Sequence, residues 1–147
     1  GMWTNNPYPH QIVMKPGIFV HLIESNNNYR VVYTDRTKHV PPEEREPLYN
    51  GDSIVKWEGD TMVIDTVSLD ERNWHTDSLH VIERFKRPSK NYLNYQYTLE
   101  DPKALTKPWT SNWRTYSLGS EPLIEKFCTN NDNREQLTKL QDAGTQD

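Results

Sequence analysis

Apolar and polar residues alternate along most of the chain between Gln11 and Thr129, the two-residue period of a strand with one face covered, while the helical period is almost absent. About eight or nine strands follow from this pattern and the turn residues between them. Ile18 to Glu24 is the first clear one, ended by Ser25-Asn26-Asn27-Asn28, and Tyr29 to Thr34 returns antiparallel. Asp35 to Asn50 carries Pro41, Pro42 and Pro47 among charged residues and reads as an exposed loop without a strand. The stretch GDSIVKWEGDTMVIDTV then places a Gly59-Asp60 turn between a Ser53–Trp57 strand and a Thr61–Val67 strand, a hairpin by its turn chemistry. Ser78 to Arg87 and Tyr92 to Glu100 form a second hairpin, and Trp109 to Leu118 with Leu123 to Thr129 a third. In the tail, Leu137 and Leu140 are spaced for a short helix over 133–143, with Asn131 or Asp132 as cap.

Hairpins in this succession predict an all-β, up-and-down antiparallel meander that closes into a lipocalin-like barrel, with an open sandwich as the alternative. The whole chain, 1–147, reads as one domain, with residues 1–8 as an extension that starts on a Gly1-Met2 expression scar and 131–147 as a C-terminal helix and tail.

Composition sharpens this picture. Only 33% of residues are apolar, but 16 of the 147 are aromatic and the net charge is −4, which fits a folded chain whose rings replace missing aliphatics. No stretch has the length of a membrane span and no basic cluster forms a nucleic-acid footprint. A lone Cys128 supplies neither an internal disulfide nor a multi-thiolate metal site, and reads as a packed small hydrophobe. The GxSxG elbow, the phosphate-cradling glycine loop and CxxC are all absent.

The candidate chemistry lies where acids fall in phase with apolar residues. Asp65 shares a strand face with Val63 and Val67, Glu83 with Leu79, Val81 and Phe85, and Glu125 with Leu123 and Phe127. A carboxylate on an inward face costs several kcal/mol unless it is paired, hydrogen-bonded or neutralised. Either Arg30, Arg84, Arg114 or a Tyr hydroxyl satisfies these acids, or the face read as inward is outward at a bulge, or they face a polar cavity as general bases or ligand anchors. His75, Asp77 and His80 form a second, looser set, with His80 on the strand face opposite Glu83 and no recognised metal spacing. Trp57, Tyr95, Tyr97, Trp109 and Trp113 are the expected lining of a pocket for a small apolar or aromatic molecule.

Gly51–Val67 resembles the GHSxGxWEGDTLVVDTxGF pattern of a family of small, largely uncharacterised bacterial proteins, and His75–Arg84 resembles that family's HSDALHxxERF block. Arg30–Asp35 resembles its RRIYxDGR stretch, 101–109 its DDPKAYTKPWT block, and Glu125–Asn130 its EYxCNEN segment, so the likeness runs from about Pro9 to about Leu137. The chain departs at Asp52, where the family has His, at Val55-Lys56 and at Ser68-Leu69. The resemblance implies a lipocalin-like barrel and export, hence a periplasmic or secreted location; it implies no reaction.

The resulting expectation is a small-molecule-binding barrel without metal or cofactor. The first alternative is a cofactor-free isomerase, lyase or hydratase with Asp65 or Glu83 as base and a Tyr hydroxyl, His75 or His80 assisting. The second is a structural or protein-interaction module with a filled interior. A dimer is compatible with the sequence, which does not fix the oligomeric state.

Overall fold

A computed structural model of the chain describes residues 8–25, 28–70 and 75–124. The described residues form nine strands: β1 (His10–Lys15), β2 (Ile18–Ile23), β3 (Asn28–Tyr33), β4 (Asp52–Glu58), β5 (Thr61–Val67), β6 (His80–Ser89), β7 (Tyr92–Glu100), β8 (Trp109–Thr110) and β9 (Arg114–Ser117). The chain is all-β and antiparallel, as the alternation predicts. The strands divide into two sheets, β1-β2-β3 and β4-β5-β6-β7-β8 with β9 also on β7. Among the described residues no ladder joins β3 to β4 or β1 to β9, so the strands lie in two sheets and the expected closed barrel is not seen among them. The predicted strand at Leu123–Thr129 falls almost wholly outside the described residues, as do Glu125, Cys128 and the C-terminal helix. No helix among the described residues is long and apolar enough to cross a membrane.

Turn chemistry sets the hairpins. Gly17 and Gly59 take positive φ at the β1–β2 and β4–β5 turns, where residues with a Cβ are strained. Between the sheets, the chain from Thr34 to Gly51 contains only a short 3-10 turn at Pro42–Glu44 and an isolated bridge from Leu48 to Leu69, so the proline-rich segment is a loop, as read. It re-enters the larger sheet at Gly51, where φ is +67° and a Cβ would meet the Val67 carbonyl oxygen at 2.6 Å. Glycine is required there by both conformation and space.

Two segments depart from the simple pattern. The strand His10–Lys15 precedes the first clear one, and the expected continuous strand from Trp109 is broken after Thr110. Ser111 turns the chain there: its N–H donates to the Tyr97 carbonyl oxygen and its Oγ accepts the Tyr97 N–H, so one residue answers both backbone groups of β7. That break takes Trp113 out of phase with Trp109.

The two sheets share one core. Phe19 and Val32 of the smaller sheet meet Val55, Met62, Ile64, Val81, Phe85, Tyr95 and Leu99 of the larger. Phe19, Phe85, Tyr95, Tyr97 and Trp109 follow one another with ring centroids 5.0–5.8 Å apart, within the range of favourable aromatic pairs. The rings thus supply the area that the scarce aliphatics do not.

Candidate functional site

Residues opposite one another in an antiparallel ladder share a face. Ile64 lies opposite Glu83 and Asp65 opposite Ile82, so Glu83 faces the smaller sheet while Asp65 lies on the reverse of the same sheet. The two acids expected to anchor one cavity are back to back. The phase of each within its own strand is as read, but alternation alone does not say which face is inward.

Glu83 is 1% exposed and fully engaged. Arg30, itself buried on β3, donates from one terminal nitrogen to Glu83 Oε2, and Tyr95 donates to Oε1 at 2.9 Å. The other Arg30 terminal nitrogen reaches Thr66 Oγ1 at 2.8 Å and Ser53 Oγ at 3.0 Å. Arg30 Nε alone has no partner. Burial first, then the Glu83 charge, pushes the Tyr95 phenol well above its ordinary range, so Tyr95 stays a donor. A carboxylate 1% exposed and tied to a guanidinium and a neutral phenol is closed to solvent. Of the alternatives for this acid, Arg30 and a Tyr hydroxyl are what the structure contains. His21 lies beside Arg30 on the same face, 2% exposed, with Nε2 2.8 Å from His10 Nδ1.

On the reverse face Asp65 is met by neither arginine nor tyrosine. His39, from the loop, places Nε2 2.9 Å from Asp65 Oδ1, and His80 of β6 places its own Nε2 2.8 Å from the same oxygen. The other ring nitrogens also find acids: His39 Nδ1 meets Asp52 Oδ2 at 2.9 Å, and His80 Nδ1 meets Glu100 Oε2 at 3.0 Å. Arg36 pairs with Asp52 Oδ1 at 2.8 Å, and the Val40 N–H donates to Oδ2 at 3.0 Å. One continuous chain results, Arg36–Asp52–His39–Asp65–His80–Glu100. Burial would raise Asp65, but hydrogen bonds from His80 and His39 outweigh it and hold the carboxyl below its ordinary value. Asp52 is lowered likewise, burial being outweighed by the Val40 N–H, His39 and Arg36. The hydrogen bond to Asp65 is the largest influence on His80, whose pKa is raised against the effect of burial.

His75, Asp77 and His80 do not converge. His75 Nδ1 lies 3.1 Å from the Thr76 carbonyl oxygen and Asp77 pairs with Lys103 at the surface. Among the described residues no group of three or more His, Cys, Asp or Glu is arranged to hold a metal ion.

A cleft of about 590 Å³ opens between β1 and the β5–β6–β7–β9 side of the larger sheet. Ile12, Phe19, Met62, Phe85, Leu93 and Tyr116 line it, with Trp57 at its side. Of the five aromatic residues expected to line a pocket, Trp57 alone does so. Tyr95 and Tyr97 are packed in the core, and Trp109 and Trp113 are about half exposed away from the cleft. Asp65, Glu83, His75 and His80 are not among its lining residues.

His39, Asp52, Glu100, Arg36, His10 and His21 are the polar residues that sequence reasoning missed. His21 carried a usable signal, being in phase with Phe19 and Ile23 as Glu83 is with Val81 and Phe85. His39 carried none, because a loop has no period. No protein-family model, no curated protein and no solved structure matches the chain. The likeness of Gly51–Val67 to a family pattern therefore rests on the quoted residues alone.

Proposed function

We propose that the two sheets are the two parts of a lipocalin-like barrel and that the protein binds a small, mostly apolar or aromatic molecule in the cleft between them. The cleft carries this reading. Its volume of about 590 Å³ falls within the roughly 300–1,000 Å³ of small-molecule sites, and its walls are mostly aromatic and aliphatic, with Asp60, Arg87 and Lys90 among them. The meander order within each sheet, the shared core and the Asn50 amide bonded to the Tyr29 carbonyl oxygen across the β3–β4 gap support the barrel. Asp65 and Glu83 lie outside the cleft's lining, which favours binding over proton transfer.

A thermal-shift and tryptophan-fluorescence screen of small aromatic and apolar compounds tests the reading, since a ligand at about 100 times its Kd stabilises the folded state by about 2.7 kcal/mol. A saturable hit that quenches Trp57, and that is lost in a folded Leu93→Trp variant filling the cleft, is the expected outcome. Hits indifferent to that substitution, or none across the panel, would remove the assignment.

A further inference from the structure

The acid–imidazole chain on the reverse face has a proton count that its geometry dictates. It contains four contacts between a ring nitrogen and a carboxylate oxygen, at 2.8–3.0 Å. Each contact needs one proton between its atoms, and a neutral imidazole carries only one N–H. His39 and His80 in neutral form would fill two of the four and leave two lone pairs pressed against carboxylates. The arrangement therefore holds two further protons.

With both on the rings, Arg36, His39 and His80 balance Asp52, Asp65 and Glu100, and the chain is neutral. Without them the same six groups sum to −2 around half-buried carboxylates. These groups come from every element packed there: Arg36 and His39 from the loop, Asp52 from β4, Asp65 from β5, His80 from β6 and Glu100 from β7. The Arg36–Val40 part of the loop is fastened to the sheet through the same atoms, since His39 reaches Asp65 and Asp52 while Arg36 and the Val40 N–H reach Asp52; its Leu48 end is held separately by backbone bonds with Ser68 and Asp70. No residue of its 3-10 turn is buried, so apolar packing does not hold that turn down.

We propose that this chain is a proton-operated clasp, which fastens the Arg36–Val40 part of the loop while each of its four ring-nitrogen contacts holds a proton and releases it as the pH rises through the His80 transition. The clasp is independent of the cleft, which none of its six residues lines.

Nitrogen-15 NMR of the histidine rings in the intact chain, together with exchange protection of the Val40 amide, tests this between pH 5 and pH 10. At the acidic end both nitrogens of His80 give imidazolium signals and Val40 is protected. Above the His80 transition, Val40 protection corrected for intrinsic exchange falls about tenfold or more, while Ile64 in the core is unchanged, as expected of local rather than global opening. His39→Gln leaves Val40 poorly protected at every pH. Glu100→Gln, at a partly exposed position, moves both the His80 transition and the loss of Val40 protection to lower pH. Single-tautomer neutral rings at pH 6 would overturn the clasp. So would Val40 protection that is level across the His80 transition, or a Glu100→Gln profile identical to the parent's.

Discussion

His21 makes the fold sensitive to acid, by an amount that follows from its surroundings. Its ring is 2% exposed between the two sheets, on the face shared with Phe19 and Ile23. Burial first, then the neighbouring His10 and Arg30, lowers its pKa from 6.5 to about 3. In the unfolded chain it returns to the ordinary value, so protons bind the unfolded state more tightly. Stability is therefore unaffected above pH 6.5, falls as the pH drops below it, and levels off below about pH 3. At 1.36 kcal/mol per pH unit of displacement, the loss from this residue is about 2 kcal/mol at pH 5 and about 3 kcal/mol at pH 4. Against a total of roughly 5–15 kcal/mol for a typical domain, that is a large share. Urea unfolding of the parent and of His21→Phe at pH 7, 6, 5 and 4 measures it. Phenylalanine keeps a ring against Phe19 and gives up the His10 hydrogen bond, an offset that the slope with pH ignores. Asp52 and Asp65, whose lowered pKa values also remove stability as acid protonates them, are common to both proteins and cancel. The parent should lose about 2 kcal/mol more than the variant between pH 7 and pH 5. Parallel curves would show that His21 does not carry this loss.

Two further outcomes follow from the core and the loop. Glu83→Leu strands the Arg30 guanidinium and the Tyr95 hydroxyl in the core and should cost about 3–5 kcal/mol in urea unfolding, whereas Arg30→Met combined with Glu83→Leu should recover most of the loss. Equal losses in the single and double variants would contradict that account. Gly51→Ala should cost about 2 kcal/mol or more, because its Cβ meets the Val67 carbonyl oxygen at 2.6 Å as well as a left-handed backbone. Gly59→Ala, at φ +62° with nothing within 4 Å, should cost only the backbone share of about 1–2 kcal/mol, and urea midpoints of the two variants decide it.

How much of this was legible in the sequence depends on what a period of two can carry. Alternation located the hairpins around Gly59 and 89–91, and it put Asp65 in phase with Val63 and Glu83 in phase with Val81 and Phe85. It carries no sign, however. Val63 is as fully buried as Ile64, although the two point to opposite faces of β5. With both faces covered at that strand, an acid in phase with valines looks inward from either side, and only the pairing of Ile64 with Glu83 separates the two acids. The partners of Asp65 were hidden for a different reason. His39 is brought to it across 26 residues by a loop, and Glu100 meets His80 across 20, so neither pairing leaves a local pattern. The expected alignment of Trp109 with Trp113 failed because Ser111 spends its N–H and Oγ on Tyr97 and turns the chain between them.

The back-to-back placement of two polar systems also bears on why these strands pair as they do. A one-residue slip of β6 against β5 turns every β6 side chain to the other face. Glu83 would then leave Arg30 and Tyr95 and arrive beside Asp65, a second carboxylate, while His80 would turn into the core away from Asp65 and Glu100. The apolar cost of such a slip is small at Val63, Ile64, Val81 and Ile82, where both faces carry valine or isoleucine, and falls on Phe85, which would leave Phe19 and Tyr95 for the reverse face. The polar cost is large: the slip strands a buried guanidinium and removes one of the two imidazoles from the clasp chain, and a buried charge deprived of its partner costs about 3–5 kcal/mol. Arg30–Glu83 on one face and His39–Asp65–His80 on the other therefore add to the discrimination that Phe85 supplies. They act from opposite sides of the same ladder, so no single shift of β6 satisfies both except the observed one.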